Sequence, residues 1–371
     1  MQGKPDMAQP CVMTVAGPIA PEDLGQTLIH EHVHVDCTPI LKVHGYPVVT
    51  NSELTLETAA EARWNPGGFP DNYRLTDVEL IIQELKPLYE AGGRALVDCT
   101  PRGLGRNPQA LQEISKRSGL HVVMGSGYYL EMCQPPQVKA MTSEAIAQEL
   151  VDELRGGVDG SGIRPGIIGE IGTGDPMTAE EQKSLRGAAW AQKVTGWPLT
   201  VHIHPWGREG TKVATLLEEE QVDPARVILN HTTTAIHDEA YQLNLLDRGF
   251  SLAYDLFGFD HSLLGHGRYP PSDLEVAARI ADLARRGYLR QLLVSHDIGV
   301  RTRLLAYSGW GYAHIHAHIV PLLVSLGLSR DDIGTLLVEN PRKLLTIDAG
   351  DARGPAQISK SKSASPRSAH A

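Results

Sequence analysis

Cysteine is nearly missing from this chain. Cys11, Cys37, Cys99 and Cys133 are all it has in 371 residues, and no two form a C-x-x-C pair. So few cannot make a disulfide framework in a chain this long, so the expected setting is reducing and cytoplasmic. No apolar run approaches the roughly 18 residues of a membrane helix, so no membrane partner is expected. The opening stretch MQGKPDMAQP lacks the apolar core of a signal peptide. The part expected to fold has no block of lysine or arginine, and the net charge is −10, which argues against a nucleic-acid surface. The remaining composition, 42% hydrophobic and 21% charged, excludes disorder across the whole chain and supplies a large core. The length allows two domains at roughly 150 residues each, or one barrel with insertions.

What the chain does have is a strand-then-helix rhythm. Runs rich in β-branched residues recur at Thr27–Asp36, Ala95–Pro101, His121–Leu130, Gly166–Thr173, Pro198–Pro205, Arg226–Thr232, Phe250–Phe257 and Gln291–Ile298. Between them lie helical periodicities, among them Asp77–Glu90, Ser143–Leu154, Ala179–Val194, Thr211–Glu220, Asp238–Asp247 and Ser272–Arg286. Thr76, Thr142 or Ser143, and Thr178 stand where helix caps belong. Strands joined by helical crossovers pair in parallel. Eight such units point to a closed (β/α)8 TIM barrel, an α/β fold. It is expected to carry one long insertion after the first strand, about Lys42–Tyr73, and another after the eighth, Gly299–Tyr312. A last helix over Arg330–Leu345 would close it. The domain plan is then an N-terminal extension (1–14), a barrel (15–349) and a disordered tail (350–371) rich in Ser, Lys, Ala and Pro.

Histidine is plentiful, with 16 in all, and several are spaced by two. Side chains alternate along a strand, so His30, His32 and His34 share one side and Glu31 and Val33 the other. Imidazoles two residues apart lie about 7 Å apart at Cα, near enough to share an ion. The same residues spell H-E-x-x-H, a zinc-protease pattern that works only on a helix, and the flanks here favour a strand. Further ligand-type residues end later strands: Glu170 the fourth, His202 and His204 the fifth, His231 the sixth and Asp297 the eighth. Active sites of such barrels sit at these strand ends. His34 and His204 admit either role, ligand or packed histidine. Glu170, in an apolar run, is placed to bridge two ions, which would remove the cost of burying it alone. The alternative is a pairing with Arg164, which lies at the start of that strand.

These motifs resemble the phosphotriesterase family of the amidohydrolase superfamily from about Val15 to Ile347. They are Gly25-x-Thr27-Leu28-x-His30-Glu31-His32, Gly166-Ile-Ile-Gly-Glu170-Ile-Gly172, Val201-His202, Asn230-His231 and Ser295-His296-Asp297. The resemblance implies that His30, His32 and Asp297 hold a buried divalent ion, that His202 and His231 hold an exposed one, and that residue 170 bridges. Well-known members carry a carboxylated lysine at that position. Glutamate there looks like the phosphotriesterase-related and homology-protein branches. The segments Tyr254-Asp255-Leu256-Phe257-Gly258, Arg301-Thr302-Arg303-Leu304 and Gly309-Trp310-Gly311-Tyr312 look most like the former. Acyl-homoserine lactonases of the family usually carry arginine where this chain has Leu256. The related branch includes a hydrolase of an amide that bears a sulfonate.

The chemistry expected is hydrolysis of a small amide, ester or lactone, with zinc as the expected metal. A water bridging two ions has its pKa lowered from about 15.7 to roughly 7. Asp297 would accept its proton and pass it to the leaving group, or outward through His296. Tyr128 or Tyr129, at the end of the third strand run, would donate to the substrate oxygen or pack the mouth. Arg301 and Arg303 favour an anionic substrate, and Arg301 is the expected contact. The alternatives are a phosphotriesterase or lactonase acting on neutral substrates, and a metal-binding barrel without turnover. The expected partner is a small molecule, and the family resemblance adds a homodimer.

Overall fold

The computed structural model describes residues 9–43, 52–260 and 269–348. The expected tail, residues 1–8 of the expected extension and residues 44–51 of the first insertion lie outside the described residues. Eight parallel strands run in chain order: β1 (Gln26–Glu31), β2 (Gly93–Asp98), β3 (His121–Ser126), β4 (Ile167–Thr173), β5 (Leu199–Ile203), β6 (Val227–Leu229), β7 (Ser251–Tyr254) and β8 (Leu292–Val294). Each pairs with the next from β1 to β8. The seam between β8 and β1 is closed differently. The Asp297 N–H donates to the His30 carbonyl at 3.1 Å, and the His30 N–H donates to Ser295 Oγ at 3.0 Å. The expected TIM barrel is therefore the observed one.

Helices follow the strands: α1 (Val78–Glu90), α2 (Pro108–Ser118), α3 (Ser143–Gly156), α4 (Ala179–Thr195), α5 (Gly210–Glu219), α6 (Glu239–Asp247) and α7 (Asp273–Arg285). Their starts obey side-chain capping. Thr178 and Glu181 form a capping box on α4, as Ser272 and Glu275 do on α7. On α1 the cap is Asp77, whose carboxylate accepts from the Leu80 N–H at 3.1 Å, and not Thr76 as expected. A carboxylate at this place satisfies an orphan N–H and also complements the helix dipole. Ile81, Leu85 and Leu88 of α1 are buried at helical spacing, each gaining about 1.5–3 kcal/mol over exposure.

The barrel floor packs Ile29, Val97, Val123, Ile167, Ile228 and Leu293. Val12 joins them from a short antiparallel sheet that the sequence did not signal: Cys11–Thr14 between Gly17–Ile19 and Thr346–Ile347. The run expected over Thr27–Asp36 splits at Glu31. Asp98 takes the N–H groups of Val33 and His34 at 2.7 and 3.4 Å, replacing the ladder. Val35–Asp36 then turns antiparallel to Arg74–Leu75 and ties off the insertion at its base. That insertion holds the loop after β8. Arg63 donates to the carbonyls of Thr302 and Tyr307, Asn72 accepts from the Thr302 N–H, and Glu84 of α1 accepts from the N–H groups of Leu305 and Ala306. The closing helix is interrupted, with a π turn over Thr335–Glu339 between Arg330–Gly334 and Asn340–Leu345. Pro341 lacks the N–H that an α turn would need there.

Candidate metal centre

Two β-bulges aim the site. Ile29 faces the barrel floor, so plain alternation would send His30 outward toward the helices. Between Leu28 and Glu31, however, β1 carries one more residue than β2 opposite. Between Ile168 and Ile171, β4 carries one more than β5. Each extra residue resets the alternation, and His30 and Glu170 turn into the barrel mouth. His231 and Asp297, at the ends of β6 and β8, both adopt left-handed backbone, with φ of 58° and 56°. For residues with a Cβ that conformation is strained, and it clusters at functional sites.

These bends bring six expected residues together. Glu170 Oε1 lies 3.3 Å from His202 Nδ1, 3.2 Å from His231 Nε2 and 3.7 Å from His30 Nε2. Asp297 Oδ1 lies 3.2 Å from His32 Nε2 and 3.6 Å from His30 Nε2. Two donor groups result, His30–His32–Asp297 and Glu170–His202–His231, each compact enough for one ion. A third, His30–His231–Asp255, joins them. Glu170 does not pair with Arg164, whose Nε donates to the Leu154 carbonyl.

The surroundings of these ligands are set by hydrogen bonds. His32 Nδ1 meets Thr100 Oγ1 at 2.9 Å, leaving Nε2 toward Asp297. Asn230 Nδ2 donates to Glu170 at 3.4 Å and to Thr200 at 2.8 Å. Asp255, fully buried, accepts from the His231 N–H with both oxygens and lies 3.3 Å from His231 Nδ1 and 3.5 Å from His30 Nδ1. Asp255 was expected only as part of a family-like stretch, with no role. Its place at the end of β7, level with the other strand-end ligands, is the signal that could have found it.

The charges are unbalanced in a way that suits cations. Glu170, Asp255 and Asp297 make no ion pair with lysine or arginine among the described residues. Burial pushes the carboxyls of Glu170 and Asp297 up, but the surrounding imidazoles outweigh it and hold both below the usual range, Glu170 strongly so. The same carboxylates reach back to the histidines. Burial lowers His32, yet Asp297 lifts it to about 9, and Asp255 raises His231 well above its ordinary value. Burial and His231 lower His202. Both ring nitrogens of the buried His30 lack a hydrogen-bond partner. Buried imidazole nitrogens without donors or acceptors, facing ionised carboxylates, are what a divalent ion satisfies. The residues fit a metal site.

Other expectations fare differently. Tyr128 does not face the ligands: its hydroxyl donates to Glu149 at 2.8 Å. Its neighbour Tyr129 takes the inward place, 3.0 Å from His202 Nδ1. β3 ends at Ser126, so strand alternation could not choose between the two. Arg301 Nε donates to the Arg74 carbonyl of the insertion at 2.7 Å. Arg303 is buried among backbone carbonyls, away from solvent. His204 Nδ1 accepts from the Trp206 N–H at 3.3 Å, closing a local turn. His34 joins none of the three donor groups.

The phosphotriesterase family profile matches residues 10–345. The chain belongs to the phosphotriesterase family. It is 33% identical over 341 residues to an N-acetyltaurine hydrolase from Danio rerio, covering 91% of this chain and 98% of that one. Among solved structures, a resiniferatoxin-binding protein from Rhodobacter sphaeroides superposes with a TM-score of 0.87 at 40% identity, covering 92% of this chain and 98% of that one. The phosphotriesterase homology protein from Escherichia coli, complexed with phosphate in its active site, gives 0.72 at 29% identity over 87% and 99%. This phosphotriesterase-family chain is thus a hydrolase whose clustered His, Asp and Glu residues at the barrel mouth could hold a divalent metal ion. No helix among the described residues is long and apolar enough to cross a membrane.

Proposed function

We propose that this chain hydrolyses a small N-acyl amino or sulfonic acid with two zinc ions. His30, His32 and Asp297 would hold one, His202 and His231 the other, and Glu170 would bridge them. The observation that carries the proposal is the position of Glu170 Oε1, within 3.7 Å of imidazoles from both groups. Imidazole and carboxylate donors suit zinc. When bound, two such ions would lower the pKa of a water held there and polarise the acyl oxygen. Asp297, 21% exposed and ionised at neutral pH, accepts the proton and returns it to the leaving nitrogen or oxygen. The Tyr129 hydroxyl, beside His202, takes the oxygen-donor role that the sequence left open between Tyr128 and Tyr129. Arg301, on the loop after β8 where barrels place specificity residues, would meet the distal anion. The similarity to N-acetyltaurine hydrolases supports an amide with a sulfonate. We place the protein in the cytoplasm, consistent with four unpaired cysteines, and as a homodimer.

The test is a side-by-side assay of N-acetyltaurine, its neutral analogues, a lactone and a neutral phosphotriester. Release of taurine with the highest kcat/KM supports the proposal. Arg301→Ala is then expected to raise KM for the anionic amide at least tenfold and to spare a neutral one. A clear preference for neutral phosphotriesters or lactones overturns the substrate class and promotes that alternative.

A further inference from the structure

Asp297 lies beyond the end of β8 at Val294, and its left-handed backbone needs a restraint. The restraint comes from two buried charges on opposite sides of the chain. Glu31, fully buried between His30 and His32, takes four donors from the segment that carries Asp297. Its Oε1 accepts from Ser295 Oγ at 2.7 Å, the His296 N–H at 2.9 Å and His296 Nδ1 at 2.7 Å. Its Oε2 accepts from the Ile298 N–H at 3.1 Å. Across the segment lies Arg303, 3% exposed. Its Nη1 donates to the carbonyls of His296 and Asp297 at 2.5 and 2.8 Å, and its Nη2 to that of Phe257 at 2.6 Å. The guanidinium lies 4.5 Å over the Phe259 ring and forms no ion pair with a carboxylate among the described residues.

We propose that Glu31 and Arg303 are positioning residues that together set the backbone of Asp297 and hence the geometry of the ion it would hold. The carboxylate collects N–H groups and the guanidinium collects C=O groups, so the two charges line up with the peptide dipoles between them. The Asp297 N–H itself goes to the His30 carbonyl, so the segment has no slack toward its fellow ligand. A buried arginine used only for stability would have a carboxylate partner. This one is spent on carbonyls that include that of a ligand.

The inference rests on the metal-centre proposal above, and the experiment separates the two. Wild type, Glu31→Gln, Arg303→Lys and the double variant are titrated with cobalt(II) and followed by visible absorption, with near-ultraviolet circular dichroism as the check on folding. Glutamine puts an N–H where an acceptor is needed, and lysine keeps the charge but loses the fork. The expected result is that each folded variant binds one ion as wild type does, and the other at least tenfold more weakly with an altered spectrum. The double variant is expected to lose no more than the worse single one, since both act on the same peptides. Should Glu31→Gln not fold, Arg303→Lys decides. Wild-type spectra and affinities in the folded variants, or equal weakening of both ions, overturn the clamp alone. A wild-type chain that takes up no cobalt overturns the metal centre and the clamp together.

Discussion

Glu170, Asp255 and Asp297 are the residues on which the site's charge turns. Glu170→Gln keeps the shape and removes the negative charge between the two histidine groups. Plasma emission is expected to fall from two equivalents of zinc toward one, with loss of most activity; two retained equivalents would show that another residue bridges. Asp255→Asn removes the negative charge beside His231 and His30, and zinc affinity is expected to fall about 10- to 100-fold by competition with a chelating dye. Asp297→Asn is expected to lower kcat by roughly 10²–10⁴. At this scale the sequence was most legible where histidines are paired two apart or stand at the ends of apolar runs. His30, His32, His202 and His231 converge with Glu170 and Asp297 as their strand-end positions implied. Asp255 was missed because it fell inside the expected run Phe250–Phe257, whereas the strand ends at Tyr254 and leaves Asp255 at the barrel mouth. Tyr129 was not separable from Tyr128 because side-chain facing is undefined once a strand has ended.

Elements were legible through periodicity, and their interruptions were not. The bulges in β1 and β4 leave no mark on the apolar pattern, yet they decide which way His30 and Glu170 point. The π turns at Ile315–Ile319 and Thr335–Glu339 precede Pro321 and Pro341, a cue that a sequence shows only as a proline inside a helix. The first of these turns carries a testable weakness. His316 buries both ring nitrogens without a partner, and burial, with His296 nearby, lowers its pKa to about 4. The unfolded chain, near 6.5, binds the proton more readily. The neutral ring's contribution is therefore complete above pH 6.5 and is lost as pH falls toward 4, at up to about 1.4 kcal/mol per pH unit. The unfolding free energy from urea titration is expected to drop less between pH 7 and pH 5 in His316→Leu than in wild type, by on the order of 2 kcal/mol. Equal drops would place the acid sensitivity elsewhere.

For the whole molecule, eight strand–helix units were enough to call the barrel. The small sheet of Cys11–Thr14, Gly17–Ile19 and Thr346–Ile347 escaped because strands this short carry no usable period. The barrel's seam escaped for a related reason: it is held by side chains and one backbone bond at the very residues that form the site. Ligands drawn from β1, β4 and β5 and from the ends of β6 and β8 make any bound ion a tie across the barrel. Metal removal is therefore expected to lower the thermal midpoint, and an excess of 1,000 times Kd restores about 4 kcal/mol. Zinc alone is expected to restore it, without bicarbonate, because Glu170 needs no carboxylation. Bicarbonate dependence would contradict a glutamate bridge. The most direct test of the two-ion centre is an anomalous difference map at the zinc edge from zinc-replete crystals. Two peaks roughly 3.5–4 Å apart on either side of the Glu170 carboxylate are the predicted result; a single peak, or two peaks that Glu170 does not touch, would contradict it.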